Sequence, residues 1–413
     1  MNRKQLSRRS FLHAGASATA VVVSAKSYAR VVGANNRIAV GVIGSGGQGM
    51  KHITAFRKLA NTGNLDVVAV ADCWRQRADE GAAQSGDSRS IQDYRELLDL
   101  KEIDYVTIAT PEHSHATIAL KALDAGKHVY CEKPLTHTIS EANRLQEKTH
   151  SSGLALQVGI QGMSDDSYAS AGEAIRDGLL GVVVQAQIEY VRRYGEQGLF
   201  RKPGLRDDLP KPADLDWDKW LDSAPTTAWN PHHYFEWRNY SAYSGCIASD
   251  LFIHRLARIM KACDLLYPSR VVGMGGIWHR PDGRDLPDNF EMICEYPRGM
   301  SVYVLGTQSN RHGIEHCIRG YRGTLFFTKE GWVARDKDGK ILAEHKKTGA
   351  EDITLHHANL HKHLRDDGQL NCPIEIGVAG VVAACMANES WRSGRMMAWD
   401  ADKQDMVSAT SLQ

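Results

Sequence analysis

Short apolar runs alternate with stretches of helical period over the first third of the chain, and alternating strands take over beyond it. Ile38 to Ile43 is continuously apolar, the pattern of a strand covered on both faces in a parallel sheet. Met50, Ile53, Phe56 and Leu59 then recur at helical spacing. Residues 65–71, 104–110, 128–131 and 154–159 repeat the strand signature. Between them the pattern predicts helices over 116–125, closed by Gly126, and over 139–150. Strands alternating with helices predict a doubly wound parallel-sheet α/β domain over residues 36–158.

From Ser167 the texture changes. A helix over 168–177, closed by Gly178, leads into an alternating strand at 182–191. Further strands are expected at 270–276, 289–296, 300–306 and 323–328, and Asp336-Lys-Asp-Gly-Lys340 reads as a hairpin turn. Residues 200–240 are rich in Pro, Asp, Trp and His and predict irregular surface structure. Residues 357–394 return to helical period and can pack back on the domain interface. This half, residues 159–413, predicts an α+β domain with a mostly antiparallel sheet.

A hydrophobic content of 42% and a charged content of 24% are those of a globular protein. The net charge of +1 is unevenly spread: residues 1–29 hold five basic side chains and no acid, leaving −4 for the rest. No nucleic-acid or anionic-membrane partner is suggested. Ser7-Arg8-Arg9-Ser10-Phe11-Leu12, an apolar stretch from Ala14 to Ala25, and Ser27-Tyr28-Ala29 resemble a twin-arginine signal peptide, cut after Ala29. That predicts passage through the twin-arginine translocase and a periplasmic destination. None of the eight cysteines forms a C-x-x-C pair and several lie in apolar runs, so they read as buried free thiols.

The strand at Ile38–Ile43 stops at Gly44-x-Gly46-x-x-Gly49, and a helix follows at once. Gly44 permits the tight turn, Gly46 lets backbone approach a pyrophosphate, and Gly49 lets helix and strand pack closely. Gly47 and Gln48 sit at the helix N-terminus, whose free N–H groups suit phosphate. The second apolar strand ends in Asp72, placed to bind ribose hydroxyls. Asp72 favours NAD over NADP, but only modestly, since Arg75 lies near enough to leave a 2′-phosphate open. Thr110-Pro111 with His115, and Glu132-Lys133-Pro134, follow strands at their carboxyl ends, where ligands bind in such sheets. Gln161 lies just beyond the last strand and joins the expected cofactor contacts. Lys133 could hold a proton beside the cofactor; taken alone, it reads more simply as a surface lysine. Asp250 and His254 stand four apart, on one helix face, as a carboxylate-held imidazole would; taken alone, a helix-start acid and a partly buried histidine is the simpler reading. His357 and His361 have metal-binding spacing without a third ligand, so no metal site is assigned. His233 belongs to an aromatic loop that could contact a sugar.

Taken in order, the glycine fingerprint, Asp72, Thr110-Pro111 with His115, Ala125-Gly126-Lys127-His128-Val129, Glu132-Lys133-Pro134 and Asp250-x-x-x-His254 resemble the Gfo/Idh/MocA family of oxidoreductases. The resemblance runs from about Ile38 to the C-terminus. It implies a Rossmann domain followed by an open-faced sheet domain that binds substrate and often mediates homo-oligomer formation. It also implies that Lys133, Asp250 and His254 line the site; the expected roles are Lys133 and His254 handling the hydroxyl proton, with Asp250 orienting His254. Trp237-Arg238 is similar to a pair near cofactor or substrate in exported members. Two departures stand out: Glu112 where Asn is usual, and Phe252 where a small residue is common, with a consequence for the sugar pocket.

The expected activity is hydride transfer to or from a sugar or polyol hydroxyl carbon. Export adds that NAD(P) must be loaded beforehand, bound tightly and regenerated within each cycle. A redox-neutral, NAD-dependent glycosidase satisfies the same constraint as the alternative. A non-catalytic sugar-binding protein is the reading from a different class, against which the intact Lys133, Asp250 and His254 argue.

Overall fold

The computed structural model describes residues 37–86, 88–193, 202, 204–279 and 282–412. The export signal expected in residues 1–29 lies outside them. Six parallel strands form the first sheet: β1 (Ile38–Ile43), β2 (Leu65–Ala71), β3 (Arg89–Ile91), β4 (Tyr105–Ile108), β5 (His128–Glu132) and β6 (Leu156–Gly159). Their order is β3-β2-β1-β4-β5-β6. Helices α1 (Gly47–Thr62), α2 (Arg75–Ser85), α3 (Tyr94–Leu98), α4 (Glu112–Asp124) and α5 (Ile139–Ser152) connect them. The order reverses between β1 and β4, which opens a crevice at their carboxyl ends.

The continuous apolar runs have their cause in burial on both faces. Val40 and Val42 pack with Ile53 and Phe56 of α1, whereas Ile43 joins Val106, Ile108 and Leu97 in a second cluster. Each such side chain, fully buried, contributes about 1.5–3 kcal/mol. β3 has no comparable run and escaped the sequence pattern; three residues at a sheet edge carry too little periodicity.

After α6 (Ser167–Arg176) comes the second sheet, begun by β7 (Val183–Val191). Two short helices, α7 (Trp217–Leu221) and α8 (Pro231–Phe235), a π-helical turn at Ile247–Phe252, and α9 (Ile253–Cys263) separate β7 from β8 (Arg270–Gly276). The sheet continues with β9 (Asn289–Tyr296), β10 (Met300–Thr307), β11 (Cys317–Gly320), β12 (Thr324–Thr328), β13 (Gly331–Arg335) and β14 (Ile341–Lys346). Helices α10 (Ile353–Asp366) and α11 (Ile374–Ser393) precede β15 (Met397–Asp400) and β16 (Asp405–Ser408). The order is β14-β13-β12-β11-β7-β10-β9-β8-β15-β16. β7 and β10 run parallel; the other neighbours are antiparallel. The architecture is the expected one, a parallel Rossmann sheet followed by a mostly antiparallel sheet.

Two expectations are corrected. The segment around residues 200–240 is not merely irregular: Leu215, Trp217, Trp220, Leu221, Tyr234 and Tyr243 form a buried cluster of their own. Tryptophans read as polar-loop punctuation in sequence, yet here they supply a small core. The loop expected at 110–115 is helical from Glu112, because Pro111 ends β4's extension and serves as the N-cap of α4. Helix α10 packs on α1, and α11 packs on both α5 and β8, so the last helices tie the two sheets together. All eight cysteines are free. Among the described residues no helix is long and apolar enough to cross a membrane.

Candidate active site

One cavity of about 580 Å³ runs from the turn after β1 to the start of α9. Its first end is shaped by glycines. Gly44 has φ +86°, a conformation that costs glycine nothing. A Cβ on Gly49 would collide with the Gly44 carbonyl group, so α1 can begin this close to β1 only with glycine there. A Cβ on Gly47 would meet nothing within 4 Å, and Gly46, Gly47 and Gln48 line the cavity. This is an open cradle at a helix N-terminus, the shape and polarity a pyrophosphate requires. Asp72 follows β2 directly, and its carboxylate accepts from the Ser45 and Trp74 amides, each at 2.9 Å. Burial raises its pKa, and Arg77 opposes that rise.

Arg75 is not where the sequence placed it. Its Nη1 donates to the Ser90 carbonyl at 3.3 Å, towards β3, and it does not line the cavity. Arg77 does, with its guanidinium over the rings of Trp74 (5.0 Å) and Tyr234 (5.2 Å). Two positions along a helix is more than half a turn, which carries the side chain to the opposite face. Only the helix phase could have separated these arginines.

At the other end, β5 delivers Glu132 and Lys133, the latter preceding a cis proline at 134. Lys133 Nζ donates to Asp250 Oδ1 at 2.7 Å and to the Asp250 carbonyl at 2.8 Å. Arg238 Nε reaches the same Oδ1 at 3.2 Å. Burial would raise the Asp250 carboxyl, but the two cations hold it well below the usual carboxylate range. His254 lines the cavity and lies parallel to the Tyr190 ring, with centroids 5.9 Å apart. Burial, helped by the Lys133 charge, lowers its pKa to about 3, so the imidazole is neutral at ordinary pH. Its Nδ1 is buried without a hydrogen-bond partner among the described residues.

This departs from the expectation that Asp250 orients His254. The spacing of four is real, but Asp250 sits in the π-helical turn and its carboxylate is engaged by Lys133 and Arg238. Two cations outcompete a neutral ring. Trp237 and Arg238 line the cavity, as do Thr110, Pro111, Glu132 and Gln161. His115 lines it too, but its ring nitrogens face the carbonyls of Pro134 (2.7 Å) and Thr110 (2.9 Å), so it ties two loops together. His233 bonds to the Tyr243 hydroxyl at 3.1 Å and does not line the cavity. Phe252 is fully buried beside Phe290, 6.1 Å between centroids, and does not shape the pocket. Glu351 and Tyr190, both lining the His254 end, carried no motif and were missed.

Behind Lys133 lies a buried polar network. Glu132 Oε1 accepts from Gln48 (3.1 Å) and Gln161 (2.6 Å) and meets His52 Nε2 at 2.8 Å. Burial alone would raise this carboxyl; the hydrogen bond and charge of His52 bring it down to about 2. His52 continues to His357 (2.8 Å), and Tyr105 joins His361 at 2.9 Å. The spacing of His357 and His361 thus serves packing between α1 and α10.

Burial lowers His113, His128, His356 and His361 to about 4, and His357 well below its ordinary value. With His254, these groups bind protons in the unfolded chain near pH 6.5 but not in the folded one. Stability is therefore full above that pH and falls as pH drops, by up to about 1.4 kcal/mol per unit for each histidine. The urea midpoint should drop steeply between pH 6.5 and 5. A midpoint flat over that range would show that the histidines are not held neutral in the folded state.

The aromatic segment roofs the cavity and is pinned to the first domain. Asp214 accepts from Trp74 Nε1 (3.0 Å) and from the Gln76 amide (2.9 Å), capping α2 from outside. The Asp214 carbonyl takes the Arg75 amide (3.1 Å) and Gln92 Nε2 (2.8 Å). His113 Nε2 meets the Trp220 carbonyl at 2.9 Å. Trp220, Tyr234 and Phe235 face the cavity from this roof.

Fold and cradle together define a protein of the NAD-binding Rossmann class. More particularly, residues 38–160 match the family model described as Gfo/Idh/MocA oxidoreductase family, NAD-binding Rossmann fold. Over 158 residues the chain is 31% identical to levoglucosan dehydrogenase of Pseudarthrobacter phenanthrenivorans, covering 37% of this chain and 40% of that one. It is 32% identical over 146 residues to scyllo-inositol 2-dehydrogenase (NAD(+)) of Bacillus subtilis, covering 35% and 42%. The matches thus span about two-fifths of these relatives. The fold extends further: a levoglucosan dehydrogenase solved with NADH superposes with TM-score 0.68 at 19% identity, over 90% of this chain and 99% of that one. The WlbA dehydrogenase of Bordetella pertussis, solved with NADH and UDP-GlcNAcA, gives 0.67 at 18%, over 89% and 100%.

Proposed function

We propose that this protein is an exported, NAD-dependent oxidoreductase acting on a hydroxyl carbon of a sugar or polyol, with the dinucleotide held tightly. The observation that carries the reading is the Lys133–Asp250 pair and neutral His254 at one end of the cavity whose other end is the glycine cradle. Gly44, Gly46, Gly47 and Asp72 would hold the cofactor, and the bound nicotinamide would supply a hydride acceptor or donor. Lys133 donates to the substrate oxygen and balances the charge that grows on it as its proton leaves. His254, neutral and buried, accepts that proton. Asp250 fixes the position of the ammonium through its carboxylate and its carbonyl. The dehydrogenase names of the relatives agree with a polyhydroxylated substrate.

Export through the twin-arginine route would deprive the protein of free NAD, and the pinned roof supports retention. The test is to purify the protein without added nucleotide, dialyse it, denature it and quantify dinucleotide by mass spectrometry. Near one equivalent per chain is expected, and turnover should then need paired sugars or a glycoside. An empty protein that binds NAD weakly would overturn the retention. Asp214→Ala removes two of the roof's hydrogen bonds and should speed NADH release by up to about thirtyfold, each lost bond being worth about 1 kcal/mol. Stopped-flow fluorescence reads that rate, and an unchanged rate would free the roof of this role.

A further inference from the structure

We propose that Glu112 is a positioning residue that holds Asp250 against Lys133. The inference rests on the reading of Lys133 as the group that meets the substrate oxygen and of Asp250 as its anchor, and concerns how that ion pair is assembled across two domains. Glu112 is the first residue of α4 and is fully buried. Its Oε1 accepts from Ser244 Oγ at 2.6 Å, and its Oε2 accepts from the Gly245 amide at 3.0 Å and Ser249 Oγ at 2.9 Å. Ser244 and Gly245 belong to the turn that leads into the π-helix bearing Asp250, and Ser249 lies in that π-helix next to Asp250 itself.

That turn is not self-supporting. Cys246, in its middle, has φ +52° and ψ −133°, outside the regions a residue with a Cβ prefers. Such a conformation is unfavourable on its own and persists only where surrounding contacts over-determine it. Those contacts are here. Glu112 grips the turn from the first domain, and Asn388 Nδ2 of α11 donates to the Gly245 carbonyl at 3.1 Å from the other side. The π-helix adds its own offset, since one extra residue per turn changes which side chain faces the cavity. Asp250 is thereby delivered, four residues beyond Cys246, to within 2.7 Å of Lys133 Nζ. Glu112 also stands one residue after Pro111, which lines the cavity, so a single short segment serves both the cofactor end and the Lys133–Asp250 ion pair. A charged acceptor bound to three donors in a buried setting is among the stronger hydrogen-bonding arrangements available.

The test reads geometry independently of turnover. Lys133 is acylated with acetic anhydride at fixed pH and its modification quantified by peptide mass spectrometry. Asp250→Asn serves as the reference in which the lysine has lost its anion. Glu112→Ala is expected to raise Lys133 modification severalfold, in the same direction as the reference. In sugar turnover, kcat should fall roughly 10- to 100-fold while NADH affinity stays within about twofold. Ser249→Ala, which removes one of the three donors, should move both readouts the same way by less. If Glu112→Ala does not fold, Ser249→Ala decides on the same labelling measurement. Folded variants whose Lys133 reacts at the wild-type rate would overturn the proposal, whatever their stability. Failure to find any sugar substrate would count against the proposed activity and leave the labelling result standing.

Discussion

Lys133→Ala should lower turnover by about three orders of magnitude, within the 10²–10⁴ range of a positioned proton-transfer group. It should also destabilise the protein. Asp250 is buried and would keep only Arg238, at 3.2 Å, of the two cations that hold it ionised. Breaking one side of a buried ion pair typically costs about 3–5 kcal/mol. Lys133→Arg separates the two effects. It restores a positive charge beside Asp250, so stability should largely return. It replaces a compact ammonium by a planar, permanently charged fork, so the rate should stay low. Initial rates and urea unfolding on the two variants check this. A Lys133→Ala variant within tenfold of the parent rate would remove Lys133 from the chemistry.

Gly49→Ala should abolish dinucleotide binding. The added Cβ would strike the carbonyl of Gly44, backbone against side chain, with no flexible group able to yield. Either α1 moves away from β1 or the cradle opens, at a cost of about 3 kcal/mol by analogy with overpacked cores. Both outcomes spoil the glycine turn at Gly44 and Gly46. Gly47→Ala is the control: its Cβ meets nothing within 4 Å, and alanine favours the helix by up to about 1 kcal/mol. The expected result is a folded Gly47→Ala protein, at or above parent stability, beside a Gly49→Ala protein with no NADH fluorescence enhancement and a lower melting temperature. Normal NADH binding by Gly49→Ala would refute the close approach of α1 and β1.

Asp250 shows where sequence reading stops. Its distance of four from His254 predicts a shared helix face and a carboxylate-held imidazole. The structure gives the carboxylate to Lys133, 117 residues earlier in the chain, and to Arg238. No local pattern contains that pairing. It depends on the relative placement of β5 and the π-helical turn, and a π-turn is invisible to a search for period 3.6. Arg75 and Arg77 make the same point at smaller scale, since two residues of helix phase decide which one meets the cavity. Glu112 was legible only as a departure from a familiar motif; its three donors lie more than 130 residues away.

What the sequence determined by itself was everything that repeats locally or is fixed by backbone chemistry. Apolar runs marked β1, β2, β4, β5 and β6, because strands buried on both faces hold few polar positions. Glycines at 44, 46 and 49 marked the cradle, and at 44 and 49 no other residue tolerates the turn and the close contact. The short strands β3, β11 and β13 to β16 were left to the tertiary structure, since their register comes from neighbours and not from their own period. So were the partners of Asp250, the tryptophan roof and the buried histidines. Side-chain pairing across domains is a property of three-dimensional proximity, and proximity exists only once the two sheets have been packed together.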